Sequence, residues 1–417
     1  MFPATSNLPI SLPLIDYLDN KYQITHQQPF KNTVLFAIQH LLGSTVPLLL
    51  AIEKGGVNKH DVYLVGKAYS THPVVMSYLK DHGRHVLNAI MGYSEDVPYD
   101  MVLEDNIRHT FRKLIDKFKL DESSTKILLL DDAGKGIRIL HEEFPRYAHY
   151  FKCVEQTTRG IREIEDIELK CPVVNVARSW AKTSYEAPLI AQSMVQELLH
   201  ALERWQFVFT LTNHTILLFG YGTVGEYVCT ELTTKGFSVL VFDTNQARLE
   251  RANESGYQTL RNYAEALSSV GMVVGCTGTP HLSNDELRAL QPGTLLVNMA
   301  SSDLEFAAWR FRKAAIIVHE TVLPSDELVH TQLEGPIPWR CLYQITVGNT
   351  GFYLANGGFP IDFSGAMDPI PPSDIQLTRA LLLAAALQAV HSEDTGIHKL
   401  NDEVQHLILG EYGRLRS

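Results

Sequence analysis

Cysteine is scarce in this chain. The five residues, Cys153, Cys171, Cys229, Cys276 and Cys341, stand far apart and form no CxxC pair. Such usage excludes a small disulfide scaffold, offers no zinc or other metal site, and fits a reducing, cytoplasmic setting. Long apolar runs are missing too. The most apolar stretch, Leu381 to Val390, is too short to cross a bilayer, so no membrane association is expected. No Lys/Arg-rich block occurs, and 47 acidic against 36 basic residues give a formal net charge of −11. A nucleic-acid partner is therefore not expected. Residues 1–20 hold no basic region ahead of an apolar run, so a secretory leader is not expected. What remains is 417 residues, 45% hydrophobic, enough for two or three domains with their own cores.

Against these absences stands one dense signal. Residues 215–243 read TILLFGYGTVGEYVCTELTTKGFSVLVFD. An apolar run, Ile216 to Phe219, enters the turn Gly220-Tyr221-Gly222-Thr223-Val224-Gly225. A helical pattern follows, then a second apolar run ending at Asp243. Gly220 permits the tight turn, Gly222 admits a pyrophosphate to the backbone, and Gly225 lets the helix pack against the strand. The helix start, at Thr223 and Val224, presents N–H groups and a partial positive charge to phosphates. Asp243 stands where a carboxylate accepts the ribose hydroxyls of NAD and repels the extra phosphate of NADP. NAD is the expected cofactor.

Apolar β-type runs also precede this turn, at Val34–Ile38, Val62–Val65, Ile127–Leu130 and Val173–Val176, with helical patterns at Thr45–Lys54 and Pro73–His82 between them. The alternation predicts a first α/β domain with a parallel sheet. Leu189 to Trp205 reads as a helix leading into the nucleotide domain. Further strands are predicted there at Met272–Gly275, Thr294–Asn298 and Ala315–Val318, and Thr277 follows the first of these as a cofactor candidate. Residues 356–374 are rich in Gly and Pro, and Ile375–His391 reads as an apolar core or subunit-interface helix.

Three polar groupings could carry chemistry. Asp131-Asp132 follows the run ending at Leu130 and is either a catalytic acid at a strand end or a capping pair. Glu155-Gln156-Thr157-Thr158 either lines a cofactor or makes a turn. Lys182 and Glu186, four apart, are either an exposed helical ion pair or a base with its partner beside bound cofactor.

The order and spacing of these segments resemble the S-adenosyl-L-homocysteine hydrolase (adenosylhomocysteinase) family, over about residues 30 to 410. The likeness is strongest in VEQTTRGIREI, PVVNVARSWAKTSYE, the 215–243 segment and LLVNMASSDLEF. Members of that family oxidise a nucleoside 3′-hydroxyl with tightly bound NAD, eliminate a 5′ thiol, add water and reduce the ketone again. The resemblance implies roles by position. Lys182 matches the lysine at the 3′-hydroxyl, with Glu186 near it. His40 and Asp132 match the acid–base pair near the 4′ and 5′ positions. Thr157, Thr158 and Asn298 match residues around the nicotinamide. Glu155, Gln156, Ser301, Asp362 and Asp368 fall on substrate positions. Several of these depart from the family: Gln156 replaces a glutamate, Ser301 a histidine, and Ser44 the glutamate that reads adenine. The family's C-terminal tail, which reaches a neighbouring subunit, has no convincing equivalent before Ser417.

The resulting expectation is an α/β chain with a Rossmann-type NAD domain (189–351) inserted in a split α/β substrate domain (1–188 with 352–390), and a short C-terminal segment (391–417). Hinges are expected near 185–190 and 348–355. The expected partners are a nucleoside-like small molecule and further copies of the chain, as a dimer or tetramer.

Overall fold

The computed structural model describes residues 8, 11–88, 90, 93–122, 124–279, 282–323, 333 and 335–416. The chain divides into two units: Met1–Gly92, Val102–Glu186 and Ile370–Ser417 form one, and Tyr93–Met101 and Ala187–Pro369 the other.

In the first unit the predicted apolar runs become strands. They are β1 (Thr33–Gln39), β2 (Val62–Gly66), β3 (His85–Asn88), β4 (Lys126–Asp131), β5 (Phe151–Glu155) and β6 (Pro172–Asn175). With a final strand, Gly396–Lys399, they form one sheet in the order Gly396–Lys399, β6, β5, β4, β1, β2, β3. Every pairing is parallel. Each residue of β1 is buried, as expected for a strand covered on both faces. The chain leaves β1 toward β2 and β3, then returns to build β4, β5 and β6 on the other side. The direction of winding therefore reverses between β1 and β4. Open α/β sheets bind ligands outside the carboxyl ends of strands at such a switch point. The residues that follow β1 and β4 are His40 and Asp132.

Two expectations change here. Residues 391–417 are not an appendage. Gly396–Lys399 pairs with β6 through Ile397 and Val173, and helix Asp402–Arg416 follows it. An edge strand of four residues, with alternate positions exposed, carries little hydrophobic signal. Helix Pro372–His391 is interior to this unit, with the continuous run from Gln376 to Ala386 buried, so its apolar character belongs to the core and gives no argument for a subunit interface.

The second unit holds β7 (Thr215–Phe219), β8 (Ser238–Phe242), β9 (Gln258–Thr259), β10 (Met272–Gly275), β11 (Leu295–Asn298), β12 (Ile316–Glu320), β13 (Cys341–Val347) and β14 (Thr350–Leu354). Their order is β12, β13, β14, β11, β10, β7, β8, β9. The pairings are parallel except those of β13 with β12 and with β14. Apolar clusters fill both faces, with Ile216, Leu218 and Val274 on one side and Leu217, Phe219 and Val273 on the other. Residues 352–369 were expected with the split domain but lie in this unit. The reason is pairing: Tyr353 registers with Leu295, and Ile361 N donates to Asn298 O at 3.0 Å. Helix Trp180–Trp205 starts nine residues before the predicted Leu189, and the division between units falls inside it, close to Pro188. Among the described residues no helix is long and apolar enough to cross a membrane, and no group of three or more His, Cys, Asp or Glu could hold a metal ion.

Candidate functional site

At the switch edge of the first unit's sheet, buried charges converge from several strands. His40 Nε2 lies 3.2 Å from Asp132 Oδ2, and Lys67 Nζ donates to Asp132 Oδ1 at 2.6 Å. The Gln156 amide also donates to Asp132 Oδ2, and His40 Nδ1 meets the Ser70 hydroxyl. Lys67 and Asp132 are each 2% exposed. Burial pushes the Asp132 carboxyl up, but the Lys67 ammonium and the His40 ring outweigh it and hold the group well below the usual carboxylate range. His40 is lowered, chiefly by burial; Asp132 opposes this, and Lys67 and Arg379 add to it. At neutral pH the site thus combines a carboxylate with a neutral imidazole.

The two readings of Asp131-Asp132 divide between the two residues. Asp132 faces His40. Asp131 turns the other way and accepts Ile137 N, in the first turn of helix Lys135–Glu143, at 2.8 Å. Burial raises Asp131 to about 7.

Lys182 joins the same network. Its Nζ donates to the Gln156 main-chain carbonyl and stands 3.3 Å from Glu186 Oε2, one helical turn on. Both side chains are mostly buried, so the pair is not the exposed surface type. Gln156 links the two halves: its amide touches Asp132 and its carbonyl touches Lys182. Neighbouring residues serve the backbone instead. Glu155 accepts from Ala133 N, Gly134 N, Thr157 N and Thr157 Oγ1, so both its oxygens tie two loops together. Thr157 caps helix Thr158–Ile164 by accepting from Gly160 N at 2.9 Å, while Thr158 is exposed at the first helical position.

In the second unit the glycine turn lies between β7 and helix Thr223–Thr234. Gly220 has φ +94°, and a Cβ there would sit 2.7 Å from Thr277 Cγ2. A Cβ on Gly225 would meet the Gly220 carbonyl at 2.0 Å, whereas one on Gly222 would meet only Arg248, at 3.8 Å. The backbone is therefore packed tightly at its two ends and approachable at Gly222. That helix has no side-chain cap at Gly222, which leaves its first N–H groups, at Thr223, Val224 and Gly225, directed outward as an anion site. This cradle fits a pyrophosphate. Asp243 is 6% exposed and accepts Tyr221 N and Asn245 N, each at 2.8 Å, so it also holds the turn against β8.

Other expected cofactor residues brace this end of the sheet. Thr277 Oγ1 donates to Glu305 at 2.9 Å, and Glu305 also receives Thr277 N and Gly278 N. Asn298 donates to Ser302 O and Gly358 O and accepts from Ala300 N. Ser301 is half-buried beside it. Asp362 and Asp368 belong to this unit, not to the first; Asp362 is buried with Oδ1 lacking a hydrogen-bond partner, and burial raises its carboxyl to about 7.

Sequence reasoning missed Lys67, Ser70, Arg248 and Arg379. Lys67 follows directly on the β2 terminus, so the strand-end argument applied to His40 and Asp132 would have found it. Arg248, one helical turn into Gln246–Glu254, stands 3.4 Å from Asp243. Arg379 donates to Ser44 Oγ from Nε and Nη2, at 3.3 and 3.2 Å, a contact across 335 residues that no local pattern announces.

Comparison with known proteins fits this geometry. Residues 215–317 match the family model described as the NAD binding domain of 6-phosphogluconate dehydrogenase. With the cradle above, this makes the second unit a Rossmann domain whose cofactor is NAD. Over 356 residues the chain is 28% identical to an uncharacterised protein of Mycobacterium tuberculosis, covering 85% of this chain. It is 24% identical over 302 residues to the adenosylhomocysteinase of Gloeothece citriformis, covering 70% of this chain. The chain spans 64% of the length of each of these relatives. These matches support a distant relation to the adenosylhomocysteinases. Among solved structures, the A chain of dipicolinate synthase from Bacillus subtilis superposes with a TM-score of 0.33 at 12% identity, over 64% of this chain and 80% of that one, a likeness too slight to carry an argument.

Proposed function

We propose that this protein is a divergent, adenosylhomocysteinase-like enzyme that reversibly oxidises a hydroxyl, of the 3′ type, on a nucleoside-like small molecule. The observation that carries the reading is the buried polar chain His40, Asp132, Gln156, Lys182, Glu186 at the switch edge of the sheet. Oxidising a hydroxyl requires a base for its proton, and Lys182 with Glu186 fills that place. NAD, when bound, supplies the hydride acceptor. His40 and Asp132 move protons at the adjacent carbons, which suits elimination and hydration at the 5′ position or an epimerisation. The distant relation to adenosylhomocysteinases supports this assignment, and the retained His40, Asp132 and Lys182 weigh against an NAD-binding regulatory protein without turnover.

One contact favours a second reading, a dehydrogenase acting on a non-nucleoside hydroxy compound. Arg379 places a cation against Ser44, where the resemblance puts an adenine-reading acid. An adenine-binding acid and a guanidinium select opposite partners, and a mismatched buried polar contact costs about 1–3 kcal/mol. S-adenosyl-L-homocysteine is accordingly a poor substrate in this proposal. The test is to supply purified protein and NAD with nucleosides, thioethers and simple hydroxy acids, following NADH absorbance and, by chromatography, adenosine release. A rise with nucleosides supports the first reading, and a rise with hydroxy acids alone the second. No rise with any compound supports the regulatory protein. Turnover of S-adenosyl-L-homocysteine at kcat/KM of ~10⁴ M⁻¹s⁻¹ or more makes the protein an ordinary hydrolase instead. We place it in the cytoplasm as a dimer or tetramer, and light scattering at micromolar concentration tests the assembly.

A further inference from the structure

We propose that Lys67 is a positioning residue that fixes the charge state of the Asp132–His40 pair, keeping His40 a neutral imidazole that donates from Nε2 to Asp132 and accepts at Nδ1. The inference rests on the reading of His40 and Asp132 as the proton-handling pair, and it assigns to the site a cation that this reading alone does not require.

The placement comes from the sheet. β4, β1 and β2 are adjacent and parallel, and Asp132, His40 and Lys67 are the residues that follow their three carboxyl ends. Asp132 is bracketed, with Lys67 Nζ 2.6 Å from Oδ1 and His40 Nε2 3.2 Å from Oδ2. The turn that carries Lys67 is held by Thr71 Oγ1, which donates to the Lys67 carbonyl at 2.8 Å. A carboxylate this deeply buried needs a cation, and removing one member of such a pair leaves a strongly disfavoured charge. Two side chains can answer it, the lysine or a protonated histidine. With Lys67 in place, a second positive charge on His40 is superfluous and is repelled. Among the described residues, charged groups that act on His40 include Asp132 after β4, Lys67 after β2 and Arg379 from helix Pro372–His391, so two cations lower it while the carboxylate raises it. The Ser70 hydroxyl, against Nδ1, and the Tyr69 ring, with its centroid 6.1 Å away, are uncharged groups beside it. A neutral imidazole whose Nε2 proton points at Asp132 must accept at Nδ1, so the ring can take up a proton during the reaction. Without Lys67, burial and Arg379 alone oppose the pull of Asp132, so His40 takes up a proton more readily and that capacity falls.

The experiment reads His40 directly. Protein labelled with ¹³C and ¹⁵N in histidine is titrated by NMR, the His40 signals being those lost in His40→Asn. In the unsubstituted protein at pH 7 the ¹⁵N shifts are expected to report a neutral ring protonated at Nε2; an imidazolium there overturns the proposal without reference to any variant. Lys67→Arg should keep that state. Lys67→Gln should raise the His40 midpoint by about one pH unit or more, tenfold in the protonation equilibrium. It should shift the acid limb of the pH–rate profile upward by the same amount. An unchanged midpoint in folded Lys67→Gln, or a risen one in Lys67→Arg, overturns the proposal. Because the titration needs no substrate, a protein that passes it but oxidises no hydroxy compound sinks the functional reading and leaves the Lys67 assignment standing.

Discussion

The two units present the same kind of edge, the carboxyl ends of parallel strands at a winding reversal, yet they prepare it differently. In the second unit the work is done by main chain. Gly220, Gly222 and Gly225 remove side chains so that N–H groups can face a phosphate, and one acid, Asp243, ties the turn to the next strand. In the first unit it is done by buried side-chain charge, with Lys67, His40 and Asp132 supplied by three separate strand ends. A backbone cradle suits a ligand common to many enzymes. A network of buried charges suits chemistry on one particular substrate, because each member sets the protonation of the next.

The sharpest way to break the comparison is to add a side chain to the backbone site. Gly225→Val puts a Cβ where only 2.0 Å separates it from the Gly220 carbonyl, and backbone cannot step aside. NAD binding by calorimetry should fall below detection. A dissociation constant within about tenfold of the parent, at most about 1.4 kcal/mol, would show that close packing at this glycine is not what shapes the cradle.

The converse change removes a charge from the first unit. Lys182→Ala should lose at least ~100-fold in substrate-dependent NADH formation, the lower end for removal of a general base, while calorimetry still shows NAD bound. A near-normal rate would move the base elsewhere. A joint loss of rate and of NAD binding would show that the two sites fail together, and the contrast between cradle and charge network would lapse.

The contrast also explains what could be read in advance. The glycine turn is contiguous, so spacing alone exposes it, and β1, β2, β4 and β6 announce themselves because strands buried on both faces are continuously apolar. The Arg379–Ser44 contact spans 335 residues and no local pattern encodes it, whereas the Lys67–Asp132 contact, across 65, is legible only through the shared strand-end position of its two residues. His40, Asp132 and Lys182 were reached through family resemblance more than through spacing. Glu155, Thr157 and Asn298 were expected at ligands, yet their side chains hold loops and a helix start. Residue type does not separate the two uses; hydrogen-bond partners do.

A smaller effect is expected at Asp243. Asp243→Ala removes the acceptor proposed for the ribose and the tether on Tyr221 N, while Arg248 stays beside the vacated position. Hydrogen bonds to charged groups contribute about 1.5–3 kcal/mol, so NAD affinity should fall roughly ten- to a hundredfold. NADP should be less discriminated against, since its phosphate meets a cation in place of an acid. Calorimetry with both cofactors checks this. Equal affinity of the unsubstituted protein for NAD and NADP would remove the assigned role of the acid.

The smallest expected effect concerns stability and tests how the second unit, where Arg312 and Asp303 already form a fully buried ion pair, keeps a buried carboxyl that has no cation beside it among the described residues. Asp362, in the second, is 7% exposed, and burial raises its carboxyl to about 7, the nearby Glu197 adding to the rise. In the unfolded chain an aspartate titrates near 3.9. The folded state therefore holds the proton more tightly, and the associated stability is fully present below about pH 4 and lost as pH rises through about 7. The slope cannot exceed about 1.4 kcal/mol per pH unit for one proton. Asp362→Asn keeps the shape and cannot ionise, so its stability should decline less between pH 5 and pH 8 than that of the parent. Other carboxyls raised by burial, among them Asp131, Glu155, Asp303 and Glu305, remain in both proteins and cancel in the difference. Denaturant unfolding at pH 5, 6.5 and 8 measures it. Parallel pH profiles for the two proteins would mean that Asp362 is already ionised in the folded state, a second buried charge site in this unit in addition to the Arg312–Asp303 pair, and the contrast drawn above would narrow accordingly.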